Sequence, residues 1–242
     1  SDLTQSATTQ RATLDYLAVG LPMGKLGFGF GLIPYSSVGY KVESIAADES
    51  QNSKRLTGTG GLNKVFVGAG YKITPSLSLG ADLHYNFGKI ETTSLEFLST
   101  IPVGTSEMNT AILSGFNFNA GLMYQTKISA KMNLYSNFNY SLESTLTSKN
   151  TSTIATVLID ASYNSSLVDT AADRVETGSM ITPSKLTFGL GFGESKKWLV
   201  GAQFSTRNAG QLGNTYNSFP NVSYEKYQKI SLGGYYIPNY NS

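Results

Sequence analysis

Along most of this chain, apolar and polar residues alternate with a period of two. In residues 77–87, LSLGADLHYNF, Leu77, Leu79, Ala81, Leu83, Tyr85 and Phe87 fall on one face, and Ser78, Gly80, Asp82, His84 and Asn86 on the other. Side chains alternate across a strand, so the segment predicts a strand with one apolar and one wet face. The pattern returns in residues 116–122 and 132–140, where the wet face is again Asn, Ser and Gly. A wet face without a row of charges, behind a wholly apolar one, suits a strand with lipid on one side and a polar lumen on the other. The expected fold is therefore all-β, a transmembrane antiparallel β-barrel.

Turn signals divide the chain regularly. Short turns are expected at Pro22-Met23-Gly24-Lys25, Thr74-Pro75-Ser76, Ser129-Ala130-Lys131 and Glu194-Ser195-Lys196-Lys197. Long polar connections are expected near residues 44–60, 91–110, 145–180 and 206–223. Alternating short and long connections match periplasmic turns and extracellular loops. About nine strands result, over residues 11–21, 25–43, 58–73, 77–91, 109–128, 132–146, 183–193, 198–208 and 223–237. The first fits either facing. The segment Thr151–Ile159 reads as an extension above the membrane, with a further strand hidden there as the runner-up. A closed single-chain bacterial barrel has an even strand number, so residues 1–242 are expected to form one barrel domain incomplete at both ends.

Composition narrows the class. Charged residues are 14% of the chain and aromatics 12%, against roughly a quarter charged in ordinary soluble domains. No run approaches the roughly 20 apolar residues of a membrane helix. A net charge of +2 gives no electrostatic case for nucleic acid. The absence of cysteine removes disulfides, thiolate catalysis and Cys-ligated metals. No secretory signal is visible at the start, so a targeting segment is expected to have been removed or to lie outside this chain.

The phrases Tyr16–Pro22, Leu26–Tyr40 (LGFGFGLIPYSSVGY), Gly60–Gly68 (GGLNKVFVG) and Leu77–Gly80 together resemble Bacteroidetes members of the FadL-like outer-membrane transport family. That resemblance implies a 14-stranded barrel with an N-terminal hatch in the lumen, of which this chain would supply the middle and later strands. It also implies passive transport of hydrophobic compounds such as long-chain fatty acids. Relatives of this architecture serve as partner subunits of the type 9 secretion translocon, so docking on a larger secretion channel is the alternative.

Candidate chemistry is sparse. His84 is the only histidine, and the serine expected two residues later on the same face is Asn86. A general base without a nucleophile in reach predicts no enzyme. Asp82, His84, Asn86, Asn117, Asn119, Asn137 and Asn139 are the candidate lumen-facing, ligand-binding residues, either as a binding surface or as a hydrated network. Asp160, Asp169, Asp173 and Glu176 read as solvated loop acids whose spacing matches no calcium loop. The strings Gly27–Gly31 and Gly189–Gly193 lack the following helix of a phosphate-binding loop. They fit a lumen crowded with other protein, or barrel curvature. Lys25, Lys72, Lys127, Lys131, Lys196 and Lys197 lie at the short turns. No cofactor and no metal are expected. The expected partners are outer-membrane lipid and either a hydrophobic small molecule or a large secretion-channel protein, and the expected location is the bacterial outer membrane.

Overall fold

The computed structural model describes residues 15–98, 100–160, 164–208 and 225–238. They form eleven antiparallel strands in one sheet: β1 (Leu17–Met23), β2 (Leu26–Ser44), β3 (Ser53–Lys72), β4 (Leu77–Phe97), β5 (Val103–Lys127), β6 (Met132–Ser141), β7 (Ser144–Ile159), β8 (Ser165–Thr182), β9 (Lys185–Glu194), β10 (Trp198–Arg207) and β11 (Tyr227–Tyr236). The continuous path is β1-β2-β3-β4-β5-β6-β9-β10-β11. These are the nine expected strands. Among the described residues the sheet is not closed.

The sheet forks on β5. Its lower half, Asn119–Lys127, pairs with β6, while its upper half, Val103–Ser114, pairs with β7, which pairs with β8. The connection expected over 145–180 is thus a strand pair, and the strand count rises to eleven. Those 36 residues alternate weakly because Thr, Ser and charged groups are scattered through both faces, with exposed Leu158, Leu167, Val168 and Val175 among them. The connections expected at 44–60 and 91–110 are likewise mostly strand, as β2, β3, β4 and β5 run well past the membrane. Of the strand expected over 11–21, residues 11–14 lie outside the described residues and the described part enters β1 at Leu17; much of the 206–223 connection also lies outside the described residues. The four short turns stand where expected.

Register builds the outer face. One row of directly opposed residues crosses all nine strands: Met23, Leu26, Tyr71, Leu79, Leu122, Phe138, Phe188, Phe204 and Ile230. Each is exposed, from 37% at Phe204 to 74% at Ile230. Nine large apolar side chains in water would cost free energy in proportion to their area; in lipid they cost none. The ambiguous β1 is settled by its pairing, which sends Leu17, Val19, Leu21 and Met23 outward.

Aromatic rings and then charges bound this apolar face. Near the β9–β10 turn, Trp198 lies opposite Tyr236 and packs edge-on against Phe192, with ring centroids 5.8 Å apart. At the other limit Tyr85 stacks on Phe87 at 6.0 Å and touches Phe116 at 5.0 Å. Immediately above, the same face of β4 carries the ion pair Lys89–Glu91 (2.6 Å). The same face of β2 and β3 carries Glu43 between Lys41 (3.0 Å) and Arg55 (2.7 Å). Leu77 to Phe87 therefore spans about 25 Å of apolar wall once strand tilt is included.

Above the charges a small core forms. Leu95, Phe97, Val157 and Ile159 pack as a buried apolar cluster. Gly104 lies opposite both Phe97 and Val157, so β5 presents bare backbone beneath their side chains. This cluster joins the upper ends of β4 and β7, and burial of such side chains contributes roughly 1.5–3 kcal/mol each.

Candidate lumen site

The inner face of β4 places Asp82, His84 and Asn86 at alternate positions, and β5 places Asn119 opposite Asp82 and Asn117 opposite His84. Pairing turns these five into two neighbouring clusters. Asp82 Oδ1 accepts from His84 Nε2 at 2.5 Å and from the Asn119 amide at 2.6 Å, and that amide lies 3.2 Å from the imidazole. One step higher, the Asn86 amide donates to Asn117 Oδ1 at 2.8 Å and to the Gly115 carbonyl at 3.3 Å. Asn86 is buried. His84 also meets the edge of Phe66, which stands over Gly31.

Asn137 and Asn139 share the inner face on β6, one covering Gly189 and the other Gly121. No hydrogen bond joins them to the Asp82 cluster among the described residues. The seven predicted residues thus lie on one face, but hydrogen bonds join only Asp82, His84 and Asn119 in one group and Asn86 and Asn117 in another. No serine or threonine hydroxyl lies within hydrogen-bond reach of His84 among the described residues.

Three cations complete this lumen, and sequence reasoning missed them. Lys64 on β3, Lys185 on β9 and Arg207 on β10 line one cavity of about 350 Å³ together with Asp82, His84, Asn86, Asn117 and Asn119. Lys64 and Arg207 are five strands apart along the path, so the wall curls far enough to bring them to one chamber. Lys185 and Arg207 are directly opposed across β9 and β10, an arrangement that costs stability unless an anion or water relieves it. None of the three makes an ion pair among the described residues. A β-bulge between Pro34 and Ser36 leaves Tyr35 as the unpaired residue of β2. Tyr35 lines the same chamber with Lys64 Nζ 4.2 Å from its ring centroid, a cation–π contact. A signal for the cations existed. Lys64, Lys185 and Arg207 continue the inward phase of the alternations through Phe66, Thr187 and Ser205.

A second cavity of about 640 Å³ adjoins the first, sharing Asp82, His84 and Asn139, and has Gly27, Gly70 and Gly80 in its wall. The acids read as loop residues sit elsewhere. Asp169, Asp173 and Glu176 belong to β8, where Thr153 donates to Asp173 at 3.1 Å and Glu176 pairs with Arg174. Asp160 accepts from Asn164 at the end of the β7–β8 hairpin.

The arrangement can hold an anion, neutralise it and bond to amides beside it. Comparison with known proteins places the chain in context. No curated protein matches it. The solved structure of the RagAB peptide transporter aligns over 90% of this chain at 10% identity with a TM-score of 0.43, and this chain spans 29% of the matched one. The BamG family model matches residues 1–242. An outer-membrane-associated β-structure matched over its whole length by that model, the chain belongs to the BamG family.

Proposed function

We propose that this protein is a non-catalytic barrel subunit of a larger outer-membrane assembly, the Bam complex to which its family name refers. The observation that carries this reading is the β7–β8 hairpin. It leaves the nine-strand wall at β5, and β8 pairs with β7 alone among the described residues. The first eleven residues of β8, Ser165–Val175, are exposed. An exposed strand edge offers a row of unpaired N–H and C=O groups on which another chain can add a strand. A barrel that worked alone would gain nothing from so long an edge above the bilayer.

The competing reading, passive transport of hydrophobic compounds such as long-chain fatty acids, follows from the FadL-like resemblance. The lumen speaks against it. A chamber lined by Lys64, Lys185, Arg207, Asp82 and four amides favours hydrated or charged cargo over an acyl chain. Docking on a secretion channel remains the alternative identity of the partner. Catalysis has no support from His84, whose bonded neighbours are a carboxylate and an amide.

The chain contains no cysteine, which makes a crosslinking test clean. A Val168→Cys variant of the full-length protein, purified in mild detergent after thiol crosslinking, should carry a stoichiometric protein partner identified by mass spectrometry. A monomer with co-purified fatty acid, active in liposome uptake of that acid, would defeat the subunit reading.

A further inference from the structure

The three lumen cations are placed as a counter-charge for something. Lys64, Lys185 and Arg207 carry +3 into a chamber whose only carboxylate among the lining residues, Asp82, is already engaged by His84 and Asn119. Each is partly shielded from solvent. Clustered like charges in a confined, partly desolvated space raise the free energy of the empty site and lower it when an anion enters. The cations form two stations. Lys64 stands on the β3 side, steadied by Tyr35, and the Lys185–Arg207 pair stands on the β9–β10 side. Arginine beside lysine suits an oxyanion, because the planar guanidinium bonds two oxygens of one carboxylate.

We infer that this chamber binds an acidic polypeptide segment in extended form, with one carboxylate at Lys64 and a second at Lys185 and Arg207. Two carboxylates also balance the count, since three cations and Asp82 leave +2. The rest of the chamber suits a main chain. Asn86 Oδ1 and the Asn117 side-chain amino group remain outside the hydrogen bonds between those two residues. They can accept from and donate to peptide groups, which need partners when buried. The adjoining cavity offers bare backbone. Gly27, Gly70 and Gly80 lie in one row across β2, β3 and β4. A methyl group on Gly27 would meet nothing within 4 Å, and on Gly70 or Gly80 nothing closer than 3.5 Å. The wall's own packing therefore does not require glycine there, whereas a polypeptide lying flush against the wall does. An acyl chain makes no use of the amides.

The test uses the full-length protein in detergent and calorimetric titration with a capped Gly-Asp-Gly-Asp-Gly peptide. The capped Gly-Asn-Gly-Asn-Gly peptide, inorganic phosphate and laurate are titrated in parallel. The acidic peptide should bind and its amide counterpart should not. Lys64→Gln, Lys185→Gln and Arg207→Gln should each weaken binding about tenfold, which corresponds to about 1.4 kcal/mol, and the triple variant should abolish it. Arg207→Lys, which keeps the charge but loses the two-oxygen contact, should weaken binding less than Arg207→Gln. The neutral variants should fold, because each relieves repulsion, and heat-modifiable gel migration checks this. Failure of the wild type to bind the acidic peptide, equal affinity in the triple variant, or binding of phosphate or laurate in its place overturns the inference. The crosslink through β8 is independent of the chamber, so loss of peptide binding and loss of the assembly partner are separately visible.

Discussion

Asn119 donates its side-chain amide to Asp82 across β5 and β4 at 2.6 Å, and the same carboxylate holds His84. Thirty-seven residues separate the pair in sequence, yet strand register sets them directly opposite. Asp82→Leu should destabilise the barrel by about 1–3 kcal/mol, since it leaves two polar partners unsatisfied. Asp82→Asn, which keeps an acceptor, should cost about 1 kcal/mol or less. Urea-dependent unfolding from lipid vesicles measures the difference.

The outer face is tested by charge. Leu83 is 43% exposed and lies between Val67 and Phe118 in the middle of the apolar wall. Leu83→Arg should cost about 2–4 kcal/mol of stability in a bilayer. Thr93→Arg, on the same face above the ion pairs, should change stability by less than about 0.5 kcal/mol. Equal costs for the two variants would remove the membrane boundary drawn at Lys89 and Glu91.

The upper core depends on the absence of a side chain at Gly104. A Cβ there would stand 2.8 Å from Ile159 Cδ1 and 3.1 Å from Phe97 Cβ. Gly104→Val should therefore loosen the cluster by about 1–3 kcal/mol. Hydrogen exchange should show the loss in β7 and the upper ends of β4 and β5, with the transmembrane strands unchanged.

Gly60 has φ of 110°, and a Cβ on it would collide with the Lys89 carbonyl. Gly60→Ala should cost about 1–3 kcal/mol through strained backbone and the displaced β3–β4 ladder. Gly27→Ala, where the added methyl meets open space, should leave stability within about 0.5 kcal/mol. Thermal unfolding of the two variants side by side checks the contrast.

Above the membrane, the hydrogen bond from Lys41, followed by the charge of Arg55, holds the Glu43 carboxyl below its ordinary value of 4.5. A lowered folded-state pKa contributes stability that is present above the unfolded value and lost as pH falls through the folded one. Protection of the Val42–Ser44 and Lys54–Leu56 amides should thus hold at neutral pH and decline only below about pH 4.5. Glu43→Gln should make that protection pH-independent, as read by hydrogen exchange.

The sequence by itself determined the secondary structure of the wall and the facing of every strand but β1, whose facing came from its pairing with β2. Period-two alternation is a local property, and residues such as Leu79, Leu83 and Tyr85 sort themselves against Gly80, Asp82 and His84 without reference to any partner. The short turns were equally local, being written in Pro, Gly, Ser and Lys. The β7–β8 hairpin was only partly legible because strands in water need no apolar face: Thr151–Ile159 stands out, but Ser144–Asn150 and β8 read as polar loop until pairing with β5 is known. Which inward residues meet was a matter of register and curl. Asp82 finds Asn119 through cross-strand pairing. Lys64 joins Lys185 and Arg207 only because the sheet bends, bringing side chains from β3, β9 and β10 into one chamber. Alternation tells which way a residue points, while curvature decides what it faces, and that depends on every strand at once.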